Sequence, residues 1–329
     1  MKKIISIIVS CTIICCLFSG CAPKADTAVV IYTCANDDRI AHMNEVLQKK
    51  FPKLEIIIEY QSTSKVTSKL LAEGLSTECD IIHDLYYLNM DALNNENMLA
   101  DLSEYDRSVY VDGIALSENY LPEIRVGATI AVNTEVLKSK GLKKPVSYKD
   151  LLKPEYKGLI SMPDPKASST GYVFLKGLVN AWGEDKAFDY FEKLSENVLQ
   201  FTSSGNGPVN ALVQQEVAIG LTLITTIVTQ INEGAPLEIL QFEEGVNSSM
   251  YGQSIIKGKE TDPNVKAVFD YLINEYTELN CQTFGSEQIY KDNVFTLENY
   301  PTITKYADMS NDSLEEKDRL LSKWGVWEQ

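Results

Sequence analysis

The chain has 329 residues, of which 44% are hydrophobic and 23% charged, so it can form two medium globular units and is not disordered throughout. Its formal net charge is −16, and no basic stripe is evident that would suit nucleic acid as a partner. An anion bound by so acidic a chain must be held by local dipoles and a few local cations.

The first twenty residues are typical of a secretory signal. Lys2 and Lys3 precede a mostly apolar run from Ile4 to Phe18, which is too short for a confident membrane span of about 20 residues. The following Phe18-Ser19-Gly20-Cys21 resembles a bacterial lipobox, in which the cysteine is diacylated. We therefore predict a signal peptide (1–20), a lipidated Cys21 and a tether (21–27) on the extracytoplasmic face of the cell membrane. The alternative is an uncleaved N-terminal helix.

Few residues suited to a metal or a disulfide framework remain beyond Cys21. Only Cys34, Cys79 and Cys281 follow it, and the chain has two histidines, His42 and His83. There is no C-x-x-C pair, so at most one disulfide can form and no zinc site is predicted. We expect no cofactor.

The first half of the chain alternates strands and helices. Strands are predicted at 28–33, 54–60 and 79–84, with an amphipathic helix at 39–51 and a second one ending near Leu71. This alternation favours an α/β fold with a parallel sheet, whose ligands bind beyond the carboxyl ends of the strands.

A second alternating unit follows an extended run at 126–134, which we interpret as a strand crossing between two lobes. That unit comprises strands at 158–162, 198–201 and 217–223 and helices at 171–182 and 208–215. A return crossing is predicted at 251–256, followed by a helical pattern at 263–276. We therefore predict one discontinuous lobe (28–128 with 257–329, whose tail can also pack on the other lobe) and a second lobe (129–256).

Four hydroxyl-rich turns each follow a predicted strand and precede a predicted helix. Helix N-termini present free N–H groups and partial positive charge, so hydroxyl turns there suit an anion such as phosphate or carboxylate. Each turn could instead be a simple N-cap. With Thr33 and Tyr251 added, the candidate ligand-binding residues are Thr33, Ser62, Thr63, Ser168, Ser169, Thr170, Gly171, Ser203, Ser204, Gly205, Thr225, Thr226 and Tyr251.

The alternatives to an anion-binding site are a ferric-ion site and an enzyme active site. A ferric ion could be held by the phenolates of Tyr86, Tyr87 or Tyr251. The alternative of another class is a secreted hydrolase or transferase. A serine–histidine hydrolase would have to use His42 or His83 as its base, but the chain has no G-x-S-x-G, Walker A or H-E-x-x-H motif. We therefore expect binding without catalysis.

The chain resembles the ferric-ion, phosphonate and sugar-phosphate branch of type 2 periplasmic-binding-protein-like receptors. The stretches that carry the likeness are 145–152 (PVSYKDLL), 154–158 (PEYKG), Asp164-Pro165 with 168–172 (SSTGY), 203–205 (SSG), 216–220 (EVAIG) and 233–236 (EGAP). The resemblance covers about Val29 to Tyr276 and implies a two-lobed α/β fold with crossing hinge strands.

The same resemblance implies a function. Such receptors close on a small solute and deliver it to an ABC permease, so a monomer with these two partners is expected. Ferric-ion members carry adjacent tyrosines where this chain has Ile224-Thr225-Thr226, and neutral hydroxyls are poor ligands for ferric iron. The resemblance therefore favours an anionic phosphorylated or phosphonate solute.

Overall fold

The computed structural model describes residues 28–112, 114–285, 287–292 and 294–325. The predicted signal peptide, the lipidated Cys21 and the tether lie outside these ranges. The strands are β1 (Val29–Thr33), β2 (Ile56–Tyr60), β3 (Ile81–Tyr86), β4 (Leu121–Asn133), β5 (Ile160–Pro163), β6 (Val198–Thr202), β7 (Ile219–Leu223), β8 (Leu237–Leu240) and β9 (Asn247–Ile255).

The helices pack against both the outer and the central strands. They are α1 (Asp37–Lys50), α2 (Thr63–Glu73), α3 (Tyr87–Asn95), α4 (Thr134–Ser139), α5 (Ser169–Trp182), α6 (Glu184–Ser195), α7 (Gly207–Val213), α8 (Ile224–Asn232), α9 (Pro263–Tyr271), α10 (Thr277–Phe284) and α11 (Leu314–Lys323). A π-helical turn (Leu272–Tyr276) joins α9 to α10.

The strands form one mixed sheet in the order β2-β1-β3-β9-β4-β7-β5-β6, with β8 paired to β4. The pairs of β1 with β2 and β3 are parallel, as are those of β5 with β6 and β7. Between these parallel ends run the antiparallel strands β4 and β9. The predicted two-lobed α/β fold with two crossing strands is confirmed: β1–β3 belong to the first lobe and β5–β7 to the second. The exact lobe boundaries stay a prediction.

Strand β4 begins earlier than its sequence pattern predicts. The predicted crossing starts at Val126, whereas the strand starts at Leu121 and includes Pro122. Proline cannot donate to a sheet and argues against a strand interior. Here it lies at a register shift against β9, between Pro122 and Ile124, where the ladder is interrupted.

The core of the first lobe lies between its sheet and its helices. Every residue of β1 and β3 is buried, as expected for parallel strands covered on both faces. Helix α1 packs Met43 and Leu47 against them, both fully buried. These two side chains therefore belong to the core of the first lobe.

The C-terminal segment (residues 306–325) contacts both lobes. Trp324 packs edge-on against Phe191 of α6 and Phe201 of β6 in the second lobe. Lys317 of α11 donates a 2.8 Å hydrogen bond to Asn89 of α3 in the first lobe. The tail is therefore shared between the lobes.

Within the described ranges, no helix is both long and apolar enough to cross a membrane. The thiols of Cys34, Cys79 and Cys281 are all free.

Candidate functional site

A pocket lies between the two lobes, beyond the carboxyl ends of their parallel strands. Its empty volume is about 510 Å³, including the part open to solvent. The first lobe contributes Cys34, Asn36, Arg39, Tyr60, Ser62, Thr63 and Asp84. The crossing strands contribute Val126 and Tyr251, and the second lobe contributes Ser168, Ser169, Thr170, Ser204, Gly205, Asn206, Leu223, Thr225 and Thr226.

The structure brings most of the predicted binding residues together in this pocket. Those that line it are Ser62, Thr63, Ser168, Ser169, Thr170, Ser204, Gly205, Thr225, Thr226 and Tyr251. Their convergence follows from the α/β topology, which places strand-to-helix turns from both lobes at one cleft.

The other three predicted residues are not among those lining the pocket. Thr33 is fully buried, with its Oγ1 3.2 Å from His83 Nδ1, because the last side chain of β1 points into the core. A Cβ at Gly171 would lie 2.5 Å from the Pro163 carbonyl oxygen, so this glycine serves close packing of α5 on β5. Ser203 is exposed to solvent on the outer side of its turn.

Helix N-termini surround the pocket. The residues just before α1, α2, α5 and α8 all line it, namely Asn36, Ser62, Ser168 and Leu223. Ser62 and Ser168 make no side-chain capping hydrogen bond, so simple N-capping does not explain these two serines. The first-turn N–H groups and the partial positive charges of four helices thus face one small volume.

Hydroxyl groups connect the lobes across the pocket. Thr63 Oγ1 of α2 lies 3.3 Å from Ser169 Oγ of α5, and Ser169 Oγ lies 2.9 Å from Tyr251 Oη of β9. Nearby, Ser64 Oγ donates to the Lys166 carbonyl oxygen at 2.9 Å. The structure is therefore a closed form, in which residues more than a hundred positions apart are within hydrogen-bonding distance.

A buried ion-pair cluster forms the floor of the pocket. Arg39 is the only cationic side chain among the described residues that line the pocket. Its Nη1 lies 3.0 Å from Asp84 Oδ1, and its Nη2 donates to both oxygens of Glu123 at 2.9 and 3.0 Å. The contact to Asp84 is an ion pair without hydrogen-bond alignment, because Oδ1 has no hydrogen-bond partner.

The backbone at Asp84 is unusual. Its φ is 55°, in the left-handed region that aspartate tolerates better than most residues. It lies where the pairing of β3 with β9 shifts register, between Ile82 and Leu85. Such strained positions often occur at functional sites.

Burial governs the protonation of this floor. It raises the pKa of Glu123 and Asp84, against the opposing effect of Arg39. Burial would lower the pKa of Arg39, but the two carboxyls hold it above its usual value. Burial and the nearby Arg39 hold the pKa of His83 well below its usual value, so that imidazole is neutral.

The residues of the ferric alternative are poorly suited to it. Burial raises the pKa of Tyr86, Tyr87 and Tyr251, which disfavours the phenolate form that binds ferric iron. Tyr86 donates a 2.7 Å hydrogen bond to Asp312, and neither Tyr86 nor Tyr87 lines the pocket. Across the part of the chain that the structure describes, no cluster of three or more His, Cys, Asp or Glu side chains could hold a metal.

The two histidines also lie away from the pocket lining. His42 packs against the rings of Tyr276 and Phe284, and His83 is fully buried beside Thr33. Neither is placed as a base for a substrate in the cleft.

Comparison with known proteins places the chain in a family. Residues 89–309 match the sequence profile described as bacterial extracellular solute-binding protein. The chain belongs to this solute-binding family. An uncharacterised protein of Haemophilus influenzae is 32% identical over 217 residues, which cover 63% of this chain and 62% of that relative. This chain therefore spans less than two thirds of the length of that curated relative.

Solved structures of periplasmic binding proteins share the fold of this solute-binding protein. AfuA from Actinobacillus pleuropneumoniae, with fructose-6-phosphate bound, is 25% identical, with a TM-score of 0.78 and coverage of 91% of this chain and 98% of AfuA. A periplasmic thiamin binding protein is 17% identical, with a TM-score of 0.76 and coverage of 92% and 96%. Iron-bound HitA from Pseudomonas aeruginosa is 14% identical, with a TM-score of 0.67 and coverage of 89% and 92%. The last two similarities show the fold alone.

Proposed function

We propose that this protein is the lipid-anchored, extracytoplasmic solute-binding component of an ABC importer. Its ligand is a small organic phosphate or phosphonate, held in the pocket between the lobes. The family match and the fold support the solute-binding part of this proposal. The anchor rests on the sequence pattern around Cys21 alone.

The observation that carries the choice of ligand is the convergence of four helix N-termini and many neutral hydroxyls on one pocket. Unpaired N–H groups and helix dipoles stabilise anionic oxygens, and hydroxyls can donate to them. A phosphoryl or phosphonate group offers three such oxygens. It therefore suits a site with many neutral donors, whose one lining cation, Arg39, is paired with Asp84 and Glu123.

Closure of the lobes would give the ligand its affinity. A ligand favours the closed form only as far as it binds that form better than the open one. A ligand oxygen that accepts hydrogen bonds from Ser62 or Thr63 on the first lobe and from Ser169 or Thr170 on the second binds the closed form better, because only the closed form brings both lobes to that oxygen. Delivery to the permease then depends on recognition of the closed form.

Fructose 6-phosphate, methylphosphonate, ferric citrate and thiamine are the probes that test this proposal. We expect isothermal titration and thermal melting to show binding of at least one of the two phosphorus compounds. A ligand at a hundred times its dissociation constant adds about 2.7 kcal/mol of stability. A response to ferric citrate or thiamine alone would contradict the proposal.

A further inference from the structure

Glu123 lies behind the pocket rather than in its lining. It sits on the crossing strand β4, its side chain is 0% exposed, and it contacts the pocket through Arg39. Asn280 of α10 donates to its Oε1 at 2.5 Å, and His83 Nε2 lies 3.4 Å from the same oxygen. Glu123 is thus fixed in place by several elements, yet the proposed binding of an anion does not require it.

The charges of this cluster do not balance if every group is ionised normally. Asp84 and Glu123 supply two carboxyls, Arg39 supplies one positive charge, and His83 is neutral. Two carboxylates in one dry site cannot both ionise at ordinary cost. Both carboxyls contact the same guanidinium, since Asp84 Oδ1 lies 3.0 Å from Nη1 of Arg39 and Glu123 Oε1 lies 2.9 Å from its Nη2.

Building on the proposed function, we infer that the cleft binds its anion while Glu123 carries a proton, so that ligand and proton are taken up together. With that proton, Arg39, Asp84 and Glu123 sum to zero charge beneath the pocket. Without it, they sum to −1 and repel an anion from a site whose one lining cation is already neutralised. Glu123 is therefore a positioning residue that sets the charge of the pocket floor through Arg39.

The surroundings of Glu123 support this direction. Burial and the neighbouring Asp84 raise its pKa to about 8, although Arg39 opposes the rise. A bound anion adds negative charge nearby and raises that pKa further, so binding near and above pH 8 draws in a proton. Affinity must then fall as the pH rises through this range.

Several other ionisable groups face Glu123 from the elements packed around it. They are Arg39 of α1, His83 and Asp84 of β3, Tyr276 of the π-helical turn, Cys281 of α10 and Tyr290. Burial raises the pKa of Tyr276, Cys281 and Tyr290, and the pKa of His83 is low, so none of these four titrates between pH 7 and 9.5.

Lys317 is a second group that titrates in this range. Burial lowers its pKa to about 8, and it lies over the rings of Tyr86 and Tyr172 rather than beside Glu123. Lys317 is therefore the alternative residue that takes up a proton on binding, and the experiment must distinguish it from Glu123.

The test is calorimetric titration of the purified protein with fructose 6-phosphate between pH 7 and 9.5, in pairs of buffers with different ionisation enthalpies. The second pKa of the phosphate group is about 6, so the ligand stays a dianion over the whole pH range of the titration. We expect affinity about tenfold weaker at pH 9.5 than at pH 7, since one pKa unit is a factor of ten. We also expect up to one proton taken up per ligand near pH 8.5.

The Glu123→Gln variant should bind with little pH dependence and without proton uptake, whereas Lys317→Gln should keep both. Uptake that persists in Glu123→Gln and vanishes in Lys317→Gln overturns the inference. If circular dichroism shows that Glu123→Gln does not fold, Lys317→Gln decides alone, because loss of proton uptake in that variant overturns the inference. Binding of the sugar phosphate at constant affinity across the range refutes the proton coupling and leaves the proposed function intact. Failure of both phosphorus probes to bind at any pH refutes the proposed function itself.

Discussion

Thr63 Oγ1 and Ser169 Oγ lie 3.3 Å apart although 106 positions separate them in the chain. One belongs to the first turn of α2 and the other to the first turn of α5. Their contact joins the two lobes at the pocket, and both hydroxyls face the volume assigned to the ligand. The closed form therefore brings donors from both lobes into one site.

A bulky residue at this contact should block ligand binding. We expect Ser169→Trp to remove the thermal stabilisation by the phosphorus ligand, because the indole would fill the pocket and separate the lobes. Ser203→Trp is the matched control, since Ser203 is exposed in a neighbouring turn and outside the pocket lining. An unchanged thermal shift in Ser169→Trp would show that the ligand binds elsewhere.

Removal of Asp84 should destabilise the protein strongly. Asp84→Ala leaves buried Arg39 without one partner and places alanine at a φ of 55°. We expect a loss of about 3 to 5 kcal/mol in urea unfolding, as for other broken buried ion pairs. Asp84→Asn should lose less, because asparagine tolerates the left-handed region.

The control for Asp84 is an exposed ion pair. Asp189 and Lys193 lie one turn apart on α6, both largely exposed, at 2.7 Å. Asp189→Ala should change the unfolding free energy by about 0.5 kcal/mol or less. Equal effects of Asp84→Ala and Asp189→Ala would contradict a structural role for the buried pair.

Stability should fall between about pH 6.5 and pH 8. Glu123 has a raised pKa of about 8 in the folded protein, so here the native state holds a proton that the unfolded state has released. Below about pH 6.5, His83 opposes this trend, because its imidazole stays neutral in the fold and is protonated in the unfolded chain.

The expected loss is about 2 kcal/mol across this range, from about 1.4 kcal/mol per pKa unit. Urea titrations at several pH values would measure it, with Glu123→Gln as the comparison. A wild-type curve that is flat or rises from pH 6.5 to 8 would contradict a protonated Glu123.

Asp312 should favour the closed form. Its carboxylate accepts a 2.7 Å hydrogen bond from Tyr86 of the first lobe and a 2.5 Å hydrogen bond from Tyr172 of the second. Asp312→Ala removes both. Because the open form can keep only one of these bonds, closure loses about one hydrogen bond to a charged group, or about 1.5 kcal/mol, and we expect about tenfold weaker ligand binding.

The matched control for Asp312 is Asp308→Ala. Asp308 lies in the same segment, and among the described residues its side chain accepts a hydrogen bond only from the N–H of the nearby Ser310. Calorimetry would report affinity, and small-angle scattering without ligand would report the degree of closure. Equal affinity and closure in Asp312→Ala and the wild type would exclude this role.

The sequence predicts the hydroxyl-rich side of the pocket but not its charged floor. Ser168, Ser169 and Thr170 stand out because a strand-to-helix turn is a local pattern. Arg39 instead sits in an amphipathic helix, and its partner Glu123 lies 84 positions away in a strand. Such residues meet only in the tertiary structure, so no local spacing in the sequence predicts that they form a pair.

Elements at irregular positions were also hard to predict. Pro122 obscures the start of β4, because proline argues against a strand interior. The C-terminal segment before α11 packs through isolated contacts such as that of Asp312, so its sequence shows neither the helical nor the strand pattern of apolar residues. The parallel strands β1 and β3 were easier, since complete burial gives unbroken apolar runs.

The C-terminal helix α11 holds both lobes at once, through Lys317 to Asn89 and through Arg319 to Glu184 at 2.7 Å. When the cleft opens, this helix has to leave one lobe or travel with the other. A fluorophore on an exposed face of α11, paired in turn with one on α3 and with one on α6, would therefore show a change in energy transfer in at least one of the two pairs when solute enters. The protein would in this way report its own occupancy through dyes on helices that do not line the pocket.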